Sequence, residues 1–192
     1  MDDPESILGF WLEEVGENGW YSGGKELDAS IREHFGMDWC RVMDGGFRDW
    51  LASARGTLAY LILTDQFPRN MFRNTAKAFA SDRIALSAAK SVIKKGLDRR
   101  ICGMVRQFVY LPLMHSECLP DQDRCVRLLK ERMPDGGAEN LVHARAHREI
   151  IRCFGRFPTR NAALARPSSA LEVAHLDGGG YGGVLEMVRS AR

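Results

Sequence analysis

Apolar positions recur at helical spacing along almost the whole chain. Ile7, Leu8, Trp11, Leu12 and Val15 form one face of a first helix, with Asp3 able to cap it and Pro4 at its first position. GENGWYSGG (16–24) is a glycine-rich loop, with Trp20 and Tyr21 expected to fold back onto the core. A second helix is predicted from about Glu26 to Phe35, with Leu27, Ile31 and Phe35 inward. Shorter helical pieces carry Trp39, Val42, Phe47 and Trp50. The most apolar segment is GTLAYLILTDQ (56–66). Its composition also suits a strand, but Leu58, Leu61, Ile62 and Asp65 share one helical face as the segment runs into Phe67-Pro68.

The second half continues the pattern. SDRIALSAAKSVIKKG (81–96) has a polar N-cap in Ser81 or Asp82, lysines in its last turn and Gly96 as a stop. Leu97, Ile101, Met104, Val105 and Phe108 mark a helix that Pro112 should kink or end. PDQDRCVRLLKERM (120–133) begins with proline and acids and stops at PDGG. From Glu139 to Phe154, His143, His147, Ile150, Ile151 and Phe154 share a stripe. Ser169 and Glu172 fit a capping box for a last helix. No segment alternates apolar and polar residues over a strand length. The reading is all-α, built of antiparallel helix pairs: a single domain over 1–177, then a Gly-rich tail over 178–192 compatible with loose attachment.

The chain has 192 residues, 45% of them hydrophobic, enough to bury a core without a disulfide framework or structural metal. With 27 basic and 25 acidic side chains, no basic excess marks a nucleic-acid binder. The five cysteines (Cys40, Cys102, Cys118, Cys125 and Cys153) include no Cys-x-x-Cys and read as free thiols. The start MDDPESILGF lacks the basic n-region and apolar run of a secretory signal. No stretch reaches the roughly 18 apolar residues of a membrane span. A cytoplasmic protein with neither membrane nor nucleic-acid partner is expected.

Three polar clusters could carry chemistry. Asp65-Gln66-Phe67-Pro68-Arg69-Asn70 sets a carboxylate on an apolar face, costly unless paired. It reads either as a helix terminus or as one wall of a polar pocket. His147-Arg148-Glu149 runs on to Arg156-Phe157-Pro158-Thr159-Arg160-Asn161. His147 reads either as a hydrogen-bonded core residue or as a catalyst, and the arginines suit an anion or interhelical bridges. His115-Ser116-Glu117 follows the proline kink, without a nucleophile-elbow motif to support Ser116. His143 and His147 have the i, i+4 spacing of zinc helices, but Ala144 stands where the motif needs glutamate, so no metal site is assigned. No glycine-rich phosphate loop follows a strand, and no cofactor is expected.

The ordered motifs ILGFW, LILTDQFPRN, AFASD, YLPLMHSE and HREIIRCFGRFPTRN resemble an uncharacterised family of small, mostly bacterial proteins. The resemblance covers about Ile7 to Glu172 and implies a tetratricopeptide-like, all-helical superhelical fold. It implies no established activity. Two positions depart from the family pattern: Thr159 stands where a histidine is usual, and His143 where an aromatic residue is usual.

Taken together, these readings predict a pocket for a small anionic metabolite, with or without an enzymatic activity. Asp65, Arg69, Asn70, Glu117, Arg160 and Asn161 would bind, and His115 or His147 would act as acid or base. Arg69-Asn70 and Arg160-Asn161 are expected at one polar centre, near Asp65 and His147. The alternative is a tetratricopeptide-like scaffold for a peptide or protein partner. A third reading is that the polar motifs only knit helices together.

Overall fold

The computed structural model describes residues 3–191. Among the described residues every regular element is helical, so the fold is all-α. Contacts divide the chain into two compact units, Met1–Pro112 and Leu113–Arg192.

The first unit begins with α1 (Pro4–Leu8), whose N-cap Asp3 accepts the Glu5 N–H at 2.9 Å. The chain continues through a π-helical stretch, Gly9–Val15, into the short turn α2 (Gly16–Gly19). Trp20 then folds into the core, but Tyr21 leaves its ring exposed and only its hydroxyl reaches back, to Gln107. α3 (Lys25–Met43) is one continuous helix that joins the predicted Glu26–Phe35 helix to the shorter piece expected to carry Trp39 and Val42. Burial of Ile31, Phe35, Trp39 and Val42 along one face carries it through Gly36, whose cost in a helix is only about 1 kcal/mol. The core is aromatic: Trp11 meets Phe67 and Phe108 edge-on, and Trp20 meets Phe108.

Next come α4 (Ala54–Leu61), a π-helical turn (Ile62–Gln66), and α5 (Phe67–Met71). The cause of the interruption is local. The residue four beyond Thr64 is Pro68, which has no N–H to give its carbonyl. The Ser81 hydroxyl donates to that carbonyl instead, at 2.6 Å, and accepts the Trp39 indole N–H at 3.1 Å. Ser81 stands at the N-cap of α6 (Asp82–Lys94), one of the two expected positions, but its side chain makes no capping hydrogen bond. Two short 3-10 turns, Leu97–Arg100 and Met104–Arg106, replace most of the helix predicted after Gly96. α7 (Gln107–Met114) contains Pro112 and ends two residues beyond it.

In the second unit, α8 (Leu119–Arg132) and α9 (Ala138–Phe154) pack as a helix pair joined by a short turn, in accord with the expected helix-pair array. α10 (Ala170–Asp177) starts at the predicted capping box of Ser169 and Glu172. The glycine-rich tail forms α11 (Gly180–Ser190), which packs on α9 with Tyr181 and Val184 against Ile150, Ile151 and Phe157.

Candidate functional site

In the second unit the FGRFPTRN segment folds into a braced turn. Gly155 adopts φ 69°, a left-handed conformation that ends α9 and turns the chain. Phe157 drops into the core and Pro158–Arg160 forms a 3-10 turn. One ion pair grips the Phe157 peptide from both sides. Glu117 Oε1 accepts the Phe157 N–H at 2.8 Å, and Arg166 donates to the Phe157 carbonyl at 3.1 Å. Arg166 also forks onto Glu117, at 2.7 and 3.0 Å, and reaches Asn161 Oδ1 at 3.0 Å. Burial alone would raise the Glu117 carboxyl, but the Arg166 and Phe157 hydrogen bonds outweigh it and hold the group below the usual carboxylate range. Arg156 forks onto buried Glu172 at 2.6 and 2.8 Å, tying the same segment to α10.

This braced turn walls a cavity of about 350 Å³. His147 and Ile150 of α9 form one side, Phe157, Pro158, Thr159 and Arg160 another, and His175 and Tyr181 close it. The Arg160 guanidinium lies 4.7 Å from the Phe157 ring centroid and donates to the His115 carbonyl at 2.9 Å. The His147 ring lies 5.0 Å from that of Tyr181 and 6.3 Å from that of His115.

The protonation state of His147 follows from geometry. Its Nδ1 is 2.9 Å from the His143 carbonyl, which can only accept, so Nδ1 carries the proton. Nε2 therefore keeps its lone pair. Burial, with His115, His143 and Arg160 nearby, pushes the imidazole down to about 3. The ring is therefore held neutral at physiological pH. His143 presents Nε2 to Glu139 at 3.5 Å, which leaves its Nδ1 to accept the Tyr181 hydroxyl. On the remaining side, the buried Nε2 of His175 has no hydrogen-bond partner among the described residues.

Of the predicted site residues, His147 and Arg160 line this cavity, and His115 stands beside them. Glu117 and Asn161 brace the turn behind it. Asp65, Arg69 and Asn70 belong to the first unit. There, Arg69 bridges Asp65 at 3.4 Å and Asp82 at 3.0 Å. Asn70 donates to Asp28 at 3.0 Å and accepts from Gln66 at 3.0 Å. His175, Tyr181 and Arg166 were missed. Tyr181, Val184, Leu185 and Val188 do follow helical spacing, but the preceding glycine run hid it.

A family model described as "Bacterial protein of unknown function (DUF924)" matches residues 7–180. The chain belongs to this family. The DUF924 match takes in His147, Phe157, Arg160 and His175 of the pocket and stops one residue short of Tyr181. Among solved structures, the chain is similar to that of a protein of unknown function, ATU0120, from Agrobacterium tumefaciens. The two are 34% identical with a TM-score of 0.85, over 92% of this chain and 97% of the other. No curated protein matches. Among the described residues, no helix of this DUF924 member is long and apolar enough to cross a membrane.

Proposed function

We propose that the second unit binds a small anionic molecule with a flat ring, a ring carboxylate or similar acid, in the cavity between α9, the Phe157–Arg160 turn and α11. The observation that carries this reading is the position of Arg160. Its guanidinium lies over Phe157 at the edge of a cavity that four aromatic rings help to line, and among the described lining residues it is the one permanent cation. A cavity of about 350 Å³ suits a compact ligand. Phe157, Tyr181 and the imidazoles offer faces to a flat ring. The lone pair of His147 and the unpartnered Nε2 of His175 offer hydrogen-bonding positions that select a ligand by shape and donor pattern. With a neutral imidazole of such low basicity, the site favours binding, and proton transfer only from strongly acidic donors. The five free thiols support a cytoplasmic setting.

The test is a thermal-shift panel of ring carboxylates on the full chain and on Arg160→Gln. A ligand at about 100 times its Kd stabilises the wild type by roughly 2.7 kcal/mol, and that gain should vanish in the variant. Equal stabilisation of both proteins would show that Arg160 does not hold the anion. Stabilisation by extended peptides and by none of the acids would favour the scaffold reading.

A further inference from the structure

The first unit carries a larger cavity, of about 570 Å³, that shares no lining residue with the histidine-walled pocket. Its charged lining is one-sided. Lys25, Arg32, Arg73 and Lys77 face a single carboxylate, Asp28.

That carboxylate is already committed. Arg73 forks onto it, with Nη2 at 2.9 Å from Oδ1, and the buried Asn70 amide adds a bond at 3.0 Å. Arg73 and Asp28 thus neutralise each other and form a fixed floor. Arg32 and Lys77 are positioned without a carboxylate of their own in the cavity. Arg32 donates to the Met71 carbonyl. The Lys77 ammonium lies 4.3 Å from the Phe72 centroid and 5.1 Å from that of Trp39. With Lys25 they leave a charge excess of three on one concave wall. Like charges gathered in a concavity repel, and the field they focus attracts a counter-anion.

We propose that this cavity is a second binding site, selective for a multiply charged phosphate-type anion, either free or as the phosphate end of a small metabolite. A monocarboxylate is the poorer match, because Asp28 already supplies one and the excess remains. This inference does not depend on the ring-acid reading of the other pocket.

The experiment is calorimetric titration of the full chain with inorganic pyrophosphate and, separately, with adenosine diphosphate. Single-site binding that weakens as sodium chloride rises is expected. The double variant Lys25→Gln/Lys77→Gln should lose about tenfold or more in affinity. Arg32→Gln should weaken binding on its own, and Arg160→Gln should leave it unchanged. Lys25, Arg32 and Lys77 are solvent-exposed, so these variants should fold, which circular dichroism verifies. Tighter binding of the nucleotide assigns the anion to a metabolite, and equal binding assigns it to free polyphosphate. Both results support the site. The inference is overturned if neither probe binds, if affinity is equal in the wild type and the double variant, or if Arg160→Gln abolishes binding. It is also overturned if an acidic peptide displaces pyrophosphate and binds more tightly.

Discussion

His147 ties the stability of the second unit to pH in a way that can be calculated. The ring is neutral in the fold, pushed down to about 3, whereas an unfolded histidine titrates near its ordinary value of about 6.5. Its folded affinity for protons is the lower one, so the unfolded chain binds the extra proton first. The stabilisation is complete above about pH 6.5 and is lost as pH falls toward about 3. Between about pH 7.5 and about pH 5, the linkage relation gives a loss of about 2 kcal/mol from this one residue. That figure barely depends on the folded value, provided it stays below about 4. For a chain of this size it corresponds to roughly 4–8 °C in Tm. His143 is also held low, chiefly by burial, and adds slope in the same direction. The comparison that isolates His147 is therefore with His147→Asn, which can keep a donor near the His143 carbonyl and does not titrate. Urea unfolding at both pH values should show a wild-type decline steeper than the variant's by about 2 kcal/mol. Parallel curves would mean that His147 is solvated or already charged, and the assignment of its Nε2 lone pair would fall with it.

The braced turn and the Ser81 relay give two further predictions. Glu117→Gln keeps an acceptor for the Phe157 N–H but removes the charge facing Arg166. With both partners partly exposed, the loss should be about 1–2 kcal/mol in urea unfolding at neutral pH. Because the Glu117 carboxyl is held low, its contribution is present above about pH 4.3 and disappears as acid protonates it, so wild type and variant should converge there. Ser81→Ala strips both the Thr64 carbonyl and the Trp39 indole of a buried partner. It should cost roughly 2–3 kcal/mol; an effect below about 0.5 kcal/mol, as at an ordinary surface site, would refute the relay.

Much of this was readable from the residues. The Glu139–Phe154 stripe and the Ser169–Glu172 capping box act through local spacing, and they appear where spacing puts them. The features that were not readable depend on tertiary partners. Nothing local shows that Ser81 spends its hydroxyl on a carbonyl left short by Pro68, or that Arg166 turns back to Glu117. α11 was concealed because glycine lowers helix propensity by about 1 kcal/mol each, while the apolar face of α9 that stabilises the helix is remote in sequence. The site shows the same division. His147 and Arg160 stood out as charged or titratable groups within a motif. His175 and Tyr181 come from segments read as a last helix and a Gly-rich tail.

The central claim is a ring-acid pocket with a neutral His147 opposite a cationic Arg160. It is tested most directly by long-range nitrogen NMR of the histidine rings during titration with a hydroxylated benzoate. The account predicts a free His147 that is neutral and protonated on Nδ1 at physiological pH. Its Nε2 resonance should shift saturably with ligand in the wild type and remain unmoved in Arg160→Gln. A protonated His147 in the free protein, or the same shift in both proteins, would contradict it.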